Sequence, residues 1–161
     1  MSVRAILFAL LATLAACSPM TADAGQQQTA LAAARHPESG LDVVPLTITS
    51  ANGRHRFQVE MARSPQEQEK GLMFRTAMGA NEGMIFPMEP ARQASFWMKN
   101  TVIGLDLVFI GPDRRIESIA ANAVPYSLTP ISSTGNVSAV LELNAGRAAQ
   151  LGLGAGDRVQ W

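Results

Sequence analysis

The sequence predicts a mainly β fold: a small β-sandwich or a partly open barrel of about seven strands, with two short helices. Short stretches with apolar residues at alternate positions recur from about residue 43 to the C-terminus, as in half-buried strands. Turn residues bound these stretches, and only two segments carry helix-capping signals. The chain has no internal repeats, so one domain of this class accounts for its length.

A hairpin over residues 43–62 is the first predicted element. Apolar and polar residues alternate on both sides of Asn52-Gly53, in LTITS before it and in RFQVEM after it. Asn-Gly is a strong hairpin signal, because both residues tolerate positive φ.

Two short helices follow from capping signals. Ser64-Pro65-Gln66-Glu67 is a capping box with proline at the first helical position, and it predicts a helix over residues 65–73. Asn144 precedes the segment AGRAAQLG, so we expect it to cap a second helix that ends at Gly152.

The remaining segments predict further strands and one long loop. Residues 105–110, LDLVFI, are nearly all apolar, which is typical of a central strand buried on both faces. Residues 122–136 contain two prolines and a glycine and predict a surface loop. The other predicted strands cover residues 83–88 with a break at Pro87, 95–99, 116–121, 137–143 and 158–161.

The N-terminus carries the features of a lipoprotein signal peptide. Residues 1–16 combine the basic Arg4 with an apolar run that is too short to span a bilayer. The run ends in Leu-Ala-Ala before Cys17 and resembles the bacterial lipobox, which predicts lipid attachment to the Cys17 sulfur. Residues 17–40 are rich in small and polar residues and predict a flexible tether, which leaves residues 41–161 for the domain.

These features predict an exported protein that is anchored in a membrane on its periplasmic face. Ser18 after Cys17 resembles the pattern of outer-membrane lipoproteins. The formal net charge is zero, so we expect no nucleic-acid partner. Cys17 is the one cysteine, which excludes an intramolecular disulfide, and no motif calls for a cofactor.

Several sequence blocks, in this order, resemble the DUF192 family, also called COG1430. The blocks are Gly71-Leu72-Met73-Phe74-Arg75, Gly83-Met84-Ile85-Phe86, Phe96-Trp97-Met98-Lys99-Asn100-Thr101, Leu105-Asp106, and Leu141-Glu142-Leu143-Asn144-Ala145-Gly146 with Gly156-Asp157-Arg158-Val159. The resemblance covers about residues 44–161. It implies a compact, mostly β fold and frequent export, and it implies no known activity.

The leading hypothesis is a non-catalytic envelope module that binds a small ligand, a glycan or a protein partner. Trp97 and Lys99 alternate along a predicted strand, so they share a face and could line a pocket that stacks a ring. The alternative is that Trp97 covers a sheet edge and Lys99 is solvated. The ligand-binding candidates are Arg75, Trp97, Lys99, Asn100, Asp106 and Tyr126.

Two further hypotheses belong to other functional classes. Asp106 and Glu142 lie in apolar strands and could form the acid–base pair of a hydrolase, or be structural partners of basic side chains. Clustered methionines could bind Cu(I) or fill the core. These are Met73, Met78, Met84, Met88 and Met98. His55 has no second histidine or cysteine near it, so we expect no zinc site.

Overall fold

The computed structural model describes residues 34–161, which form eight strands and two short helices. The strands are β1 (Ala34–Arg35), β2 (Asp42–Ser50), β3 (Gly53–Met61), β4 (Glu82–Phe96), β5 (Leu105–Ile110), β6 (Ile116–Ala123), β7 (Ile131–Asn144) and β8 (Arg158–Gln160). The helices are α1 (Pro65–Lys70) and α2 (Arg147–Leu151). The mainly β class with two short helices is confirmed.

The strands form one curled sheet in the order β1-β2-β3-β4-β7-β5-β6, and β8 pairs with β2. An isolated bridge from Arg158 in β8 to Arg115, next to β6, brings the two ends of the sheet toward each other. The result is an open half-barrel. Of the two predicted architectures, the structure therefore has the partly open barrel.

The central strands are buried on both faces. All six residues of β5 are buried, as the continuous apolar run LDLVFI predicts. One face packs inside the curl around Phe57, Val108 and Leu141. The other face packs around Phe86, Leu107 and Phe109, beneath the segments that follow β3 and β4.

Local signals account for the hairpin and the first helix. β2 and β3 pair as the predicted hairpin. Ser64 accepts from the Glu67 amide and the Glu67 carboxylate accepts in return, so the capping box is present. The helix ends at Lys70 rather than at residue 73, because Gly71 takes a positive φ of 47°.

Two predicted boundaries are wrong because prolines and turn residues lie inside strands. β4 continues through Pro87 to Phe96, and a register shift against β7 between Pro87 and Arg92 accommodates the prolines. β7 begins at Ile131, so the predicted loop over residues 122–136 is shorter than expected.

The domain includes residues of the predicted tether. β1 pairs with the start of β2, where Ala34 lies opposite Val43. Residues 34–40 therefore belong to the domain, and residues 1–33, with Cys17, lie outside the described part of the chain. No helix within residues 34–161 is both long and apolar enough to cross a bilayer.

Candidate ligand-binding site

Glu142 is the buried polar group around which the candidate site is built. It lies in the middle of the sheet on β7, directly opposite Leu107 of β5, and only 5% of its surface is exposed. Burial raises the pKa of its carboxyl group to about 8. Within residues 34–161, neither a hydrogen bond nor an opposite charge offsets this burial.

The Glu142 carboxyl group lines a cavity of about 350 Å³ on the outer face of the sheet. Its volume lies in the range of about 300–1,000 Å³ that is typical of small-molecule sites, and its lining is polar and charged as well as apolar. Phe86 and Phe96 form one wall, with their rings edge to face at 5.1 Å. Leu72 supplies further apolar lining, and the buried Thr101 a hydroxyl.

Trp97 and Lys99 lie at the rim of this cavity. Trp97 is 50% exposed, and the Lys99 ammonium lies 5.2 Å from the centre of its ring. β4 ends at Phe96, so the two residues follow the strand instead of lying within it. Their side chains nevertheless lie together on one side, while Met98 between them is buried.

A larger cavity of about 540 Å³ shares lining residues with the first. Two of its cations are already engaged within the domain. Arg63 pairs with Asp42 at 2.8 Å, and the Arg114 guanidinium lies 3.6 Å from the centre of the Trp161 ring. We therefore place the candidate site at the Glu142 cavity, where a largely buried carboxyl group faces the cavity without a hydrogen-bond partner from residues 34–161.

Comparison with known proteins gives a family and no activity. The family described as "DUF192: Uncharacterized ACR, COG1430" matches residues 47–161. The chain belongs to the DUF192 family. No curated protein matches the chain.

Two solved structures share the fold of this DUF192 domain. A protein of unknown function from Novosphingobium aromaticivorans DSM 12444 is 57% identical, with a TM-score of 0.80, and the match covers 82% of this chain and 94% of that one. A proposed transcription regulator from Sinorhizobium meliloti 1021 is 40% identical, with a TM-score of 0.72, and the match covers 74% and 94% of the two chains.

Asp106, a predicted site residue of the DUF192 domain, is fully buried and engaged in structure. Its Oδ1 accepts from the amides of Asn122 at 2.8 Å and Gly146 at 3.0 Å, and its Oδ2 accepts from the Ala148 amide at 2.8 Å. Asp106 thus caps α2, which is the role predicted for Asn144. Gly146 is the N-cap residue of that helix and has no side chain with which to cap it.

Asp106 and Glu142 lie on opposite faces of the sheet. Glu142 is opposite Leu107 in the β5–β7 ladder, whereas Asp106 is opposite Leu143. Because neighbouring side chains in a strand point to opposite faces, the two carboxyl groups do not meet. The acid–base pair that the hydrolase hypothesis requires is therefore not formed.

Arg75 is part of a buried ion network and does not line the Glu142 cavity. Its guanidinium makes two hydrogen bonds to Glu60, at 2.8 and 3.0 Å, and a third contact to Glu38 at 3.0 Å. The hydrogen bonds to Glu60 raise the pKa of Arg75 further. Arg75 therefore pairs with neither Asp106 nor Glu142. The sequence did not predict a role for Glu60, because Glu60 occupies a polar position of an alternating strand, where an exposed side chain is expected.

Asn100 and Tyr126 also lie outside the cavity lining. Both adopt positive φ, at 56° and 62°. The Asn100 amide lies 3.7 Å from the sulfur of Met73, and Tyr126 is 60% exposed on the loop after β6.

The methionines divide between core and cavity. Met84, Met88 and Met98 are almost fully buried and pack in the apolar cluster on the outer face of the sheet. Met73 and Met88 contribute to the Glu142 cavity. This arrangement favours core filling, because the three buried thioethers are enclosed by apolar side chains.

Proposed function

We propose that this DUF192 protein is an exported lipoprotein, anchored through Cys17 on the periplasmic face of a membrane, whose domain binds a small ligand. The ligand has a ring or apolar body and a hydroxyl or amide group. Its apolar part lies against Trp97 and the phenylalanine wall, and its polar group reaches Glu142. A glycan fragment has this chemistry, because sugar rings stack on aromatic faces and carry many hydroxyl groups.

The unpartnered Glu142 carboxyl group is the observation that carries this proposal. The Glu142 carboxyl group lines the cavity and has no hydrogen-bond partner within residues 34–161, so its oxygens are open to whatever occupies the cavity. A bound ligand with a hydroxyl or amide group can hydrogen-bond the carboxyl group in place of water. With a pKa of about 8, Glu142 is mostly protonated at pH 7 and can donate as well as accept.

The membrane anchor rests on the sequence alone. A basic residue, a short apolar run and Leu-Ala-Ala before Cys17 support export and acylation. More than one acyl chain is needed for stable anchoring, and bacterial lipoprotein processing supplies several. Nucleic acid is not part of the proposal, because acidic and basic residues are equal in number.

A thermal-shift screen tests the binding site. The purified chain is mixed with cell-wall fragments, simple sugars, nucleotides, fatty acids, Cu(I) and Zn(II). A ligand at one hundred times its dissociation constant stabilises the fold by about 2.7 kcal/mol. We expect a dose-dependent rise with one ligand class, about half that stabilisation in Glu142→Leu at the same ligand concentration, a reduced rise in Trp97→Ala, and an unchanged rise in the control Tyr126→Ala.

The outcomes of the screen separate the hypotheses. A rise that is undiminished in both Trp97→Ala and Glu142→Leu would exclude this cavity as the site. A rise with Cu(I) alone, lost on substitution of Met73 and Met88, would favour metal binding. No rise with any compound would contradict binding of these small-molecule classes and favour a protein partner.

A further inference from the structure

Every large apolar side chain that is exposed within residues 34–161 lies on one of three loops. The loops cover residues 71–81, 97–104 and 124–130, and we call them together the apolar loop surface. The exposed residues are Phe74, Trp97, Val102, Val124, Tyr126 and Leu128, with exposed fractions of 36–66%. Single exposed apolar residues are ordinary, but their confinement to three loops is not.

Backbone hydrogen bonds join the three loops into one surface. The Phe74 amide donates to the Asn100 carbonyl at 2.8 Å, which joins the first loop to the second. The Met98 amide donates to Ser127 at 2.9 Å and the Tyr126 amide donates to Thr101 at 3.2 Å, which joins the second loop to the third. The exposed side chains therefore lie at the same end of the domain.

The charges of this surface fit the headgroup layer of a bilayer. None of the 13 acidic residues of the chain lies in the three loops. Arg75 is buried in its ion network, which leaves Lys99 as the exposed cation of these loops. Tryptophan and tyrosine favour the membrane interface, and lysine beside them can meet lipid phosphate.

We propose that the apolar loop surface docks the domain onto a lipid bilayer. This inference rests on the proposed lipid anchor at Cys17, which keeps the domain near the membrane: the chain from Cys17 to Ala34 spans at most about 60 Å when fully extended. Docking turns the rim of the Glu142 cavity toward the headgroups, because Trp97 and Lys99 belong to both features. A ligand that reaches the cavity then comes from the membrane surface.

Tryptophan fluorescence on vesicles tests this docking, since the two tryptophans form a matched pair. Trp97 is in the loop surface, and Trp161 packs against Arg114 outside it. The mature, lipid-bearing chain is reconstituted into phosphatidylcholine–phosphatidylglycerol vesicles with brominated acyl chains. In Trp161→Phe, the emission comes from Trp97. We expect it to be about half as strong on brominated vesicles as on unbrominated ones, because interfacial side chains lie about 5–10 Å deep, within reach of the bromine atoms. In Trp97→Phe, emission should not change.

A second variant pair keeps the test independent of Trp161→Phe, should that variant fold poorly. In the wild-type background, Val124→Ser with Leu128→Ser should reduce the quenching, whereas Ala51→Ser in the β2–β3 turn, outside the apolar loop surface, should not. Mass spectrometry of the peptide that contains Cys17 reports on the anchor separately. Equal quenching of the two single-tryptophan variants overturns the docking. So does an absence of quenching when the chain floats with the vesicles, because the anchor then holds the chain on the membrane while Trp97 stays out of it. If Trp97 is not quenched and the apolar loop surface crosslinks to an envelope protein in native membranes, the docking is also overturned and the surface binds a protein partner.

Discussion

At the scale of single residues, Glu142 is unusual because it is a largely buried acid whose carboxyl group lines a cavity without a hydrogen-bond partner from residues 34–161. Glu142 is paired with Leu107, so its side chain lies on the same apolar face of the sheet. Burial there makes ionisation of the carboxyl group costly and raises its pKa to about 8. Asp106 lies just across the sheet, and three backbone amides satisfy it. Two acidic residues in similar apolar strands therefore have different roles, which their immediate partners decide.

The first prediction concerns the pH dependence of stability. The pKa of Glu142 is about 8 in the folded state and near 4.5 when unfolded, so the folded state holds one more proton between these values. The free energy of unfolding should then fall by up to about 1.4 kcal/mol per pH unit in this window, and level off above it. Glu142→Gln should remove this slope.

Urea unfolding of the wild type and Glu142→Gln at a series of pH values measures the two slopes. Glu89→Gln, in an exposed position of β4 that does not line the Glu142 cavity, is the control and should keep the wild-type slope. Equal slopes in the wild type and in Glu142→Gln would show that Glu142 titrates normally in the folded protein.

The second prediction separates ligand binding from proton transfer at Glu142. A neutral glutamine presents the same donor and acceptor as a protonated carboxyl group, so Glu142→Gln should keep most ligand affinity. Glu142→Leu should weaken binding by about tenfold, which corresponds to one hydrogen bond of about 1.4 kcal/mol. Calorimetric titration with the ligand class from the thermal-shift screen measures both. Retained binding with loss of a chemical turnover in Glu142→Gln would instead indicate an acid–base catalyst.

At the scale of elements, α2 is held in place by a residue from another strand. α2 has five residues and is too short to be stable by itself. The carboxylate of Asp106 in β5 accepts hydrogen bonds from the amides of Gly146 and Ala148 at the start of α2. Gly152 ends the helix with a positive φ of 64°. The helix thus exists because the β5–β7 pairing brings a carboxylate to its first turn.

The third prediction tests this capping. Asp106→Asn replaces one acceptor oxygen with a donor group that faces another amide, so the free energy of unfolding should fall by about 2–4 kcal/mol. Asp113→Asn is a matched control, because an asparagine oxygen can still accept from the Arg115 amide in that exposed turn. Chemical denaturation measures both changes. A loss below about 0.5 kcal/mol in Asp106→Asn, as for ordinary surface changes, would mean that water replaces the cap.

At the scale of the whole molecule, one arginine joins three distant parts of the chain. Arg75 follows α1, Glu60 lies at the end of β3, and Glu38 lies in the turn between β1 and β2. Glu60 and Arg75 are both buried, whereas the side chain of Glu38 is 60% exposed. The Arg75–Glu60 pair therefore dominates the network energetically, and Glu38 helps to hold residues 34–40 on the domain.

The fourth prediction follows from this difference in burial. Arg75→Ala removes both hydrogen bonds to the buried Glu60 carboxylate and leaves it the ring of His36, whose Nδ1 lies 3.6 Å from Oε2, so the loss should be about 3 kcal/mol. Glu38→Gln should cost less than about 1 kcal/mol, because exposed pairs are weak. Arg75→Met combined with Glu60→Met should recover most of the loss. Thermal unfolding of the three variants tests this ranking, and a smaller loss in Arg75→Ala than in Glu38→Gln would refute it.

Local patterns predicted much of the fold and part of the site. The hairpin, the capping box of α1 and the buried strand β5 depend on neighbouring residues, so alternation and turn chemistry were sufficient. Trp97 and Lys99 were predicted to lie together, and both are at the cavity rim. β4 was predicted less well, because its prolines lie at a register shift that only the pairing with β7 creates.

The sequence by itself determined the mainly β class, the order of most elements and membership of the DUF192 family, and the anchor proposal rests on its N-terminal pattern. Only the tertiary structure decided how its acidic residues are used. Register placed Asp106 and Glu142 on opposite faces, chain packing joined Arg75 to Glu60, and backbone hydrogen bonds gathered the exposed apolar residues onto one surface. Burial and pairing depend on residues far apart in the chain, whereas propensity and alternation depend on residues close together.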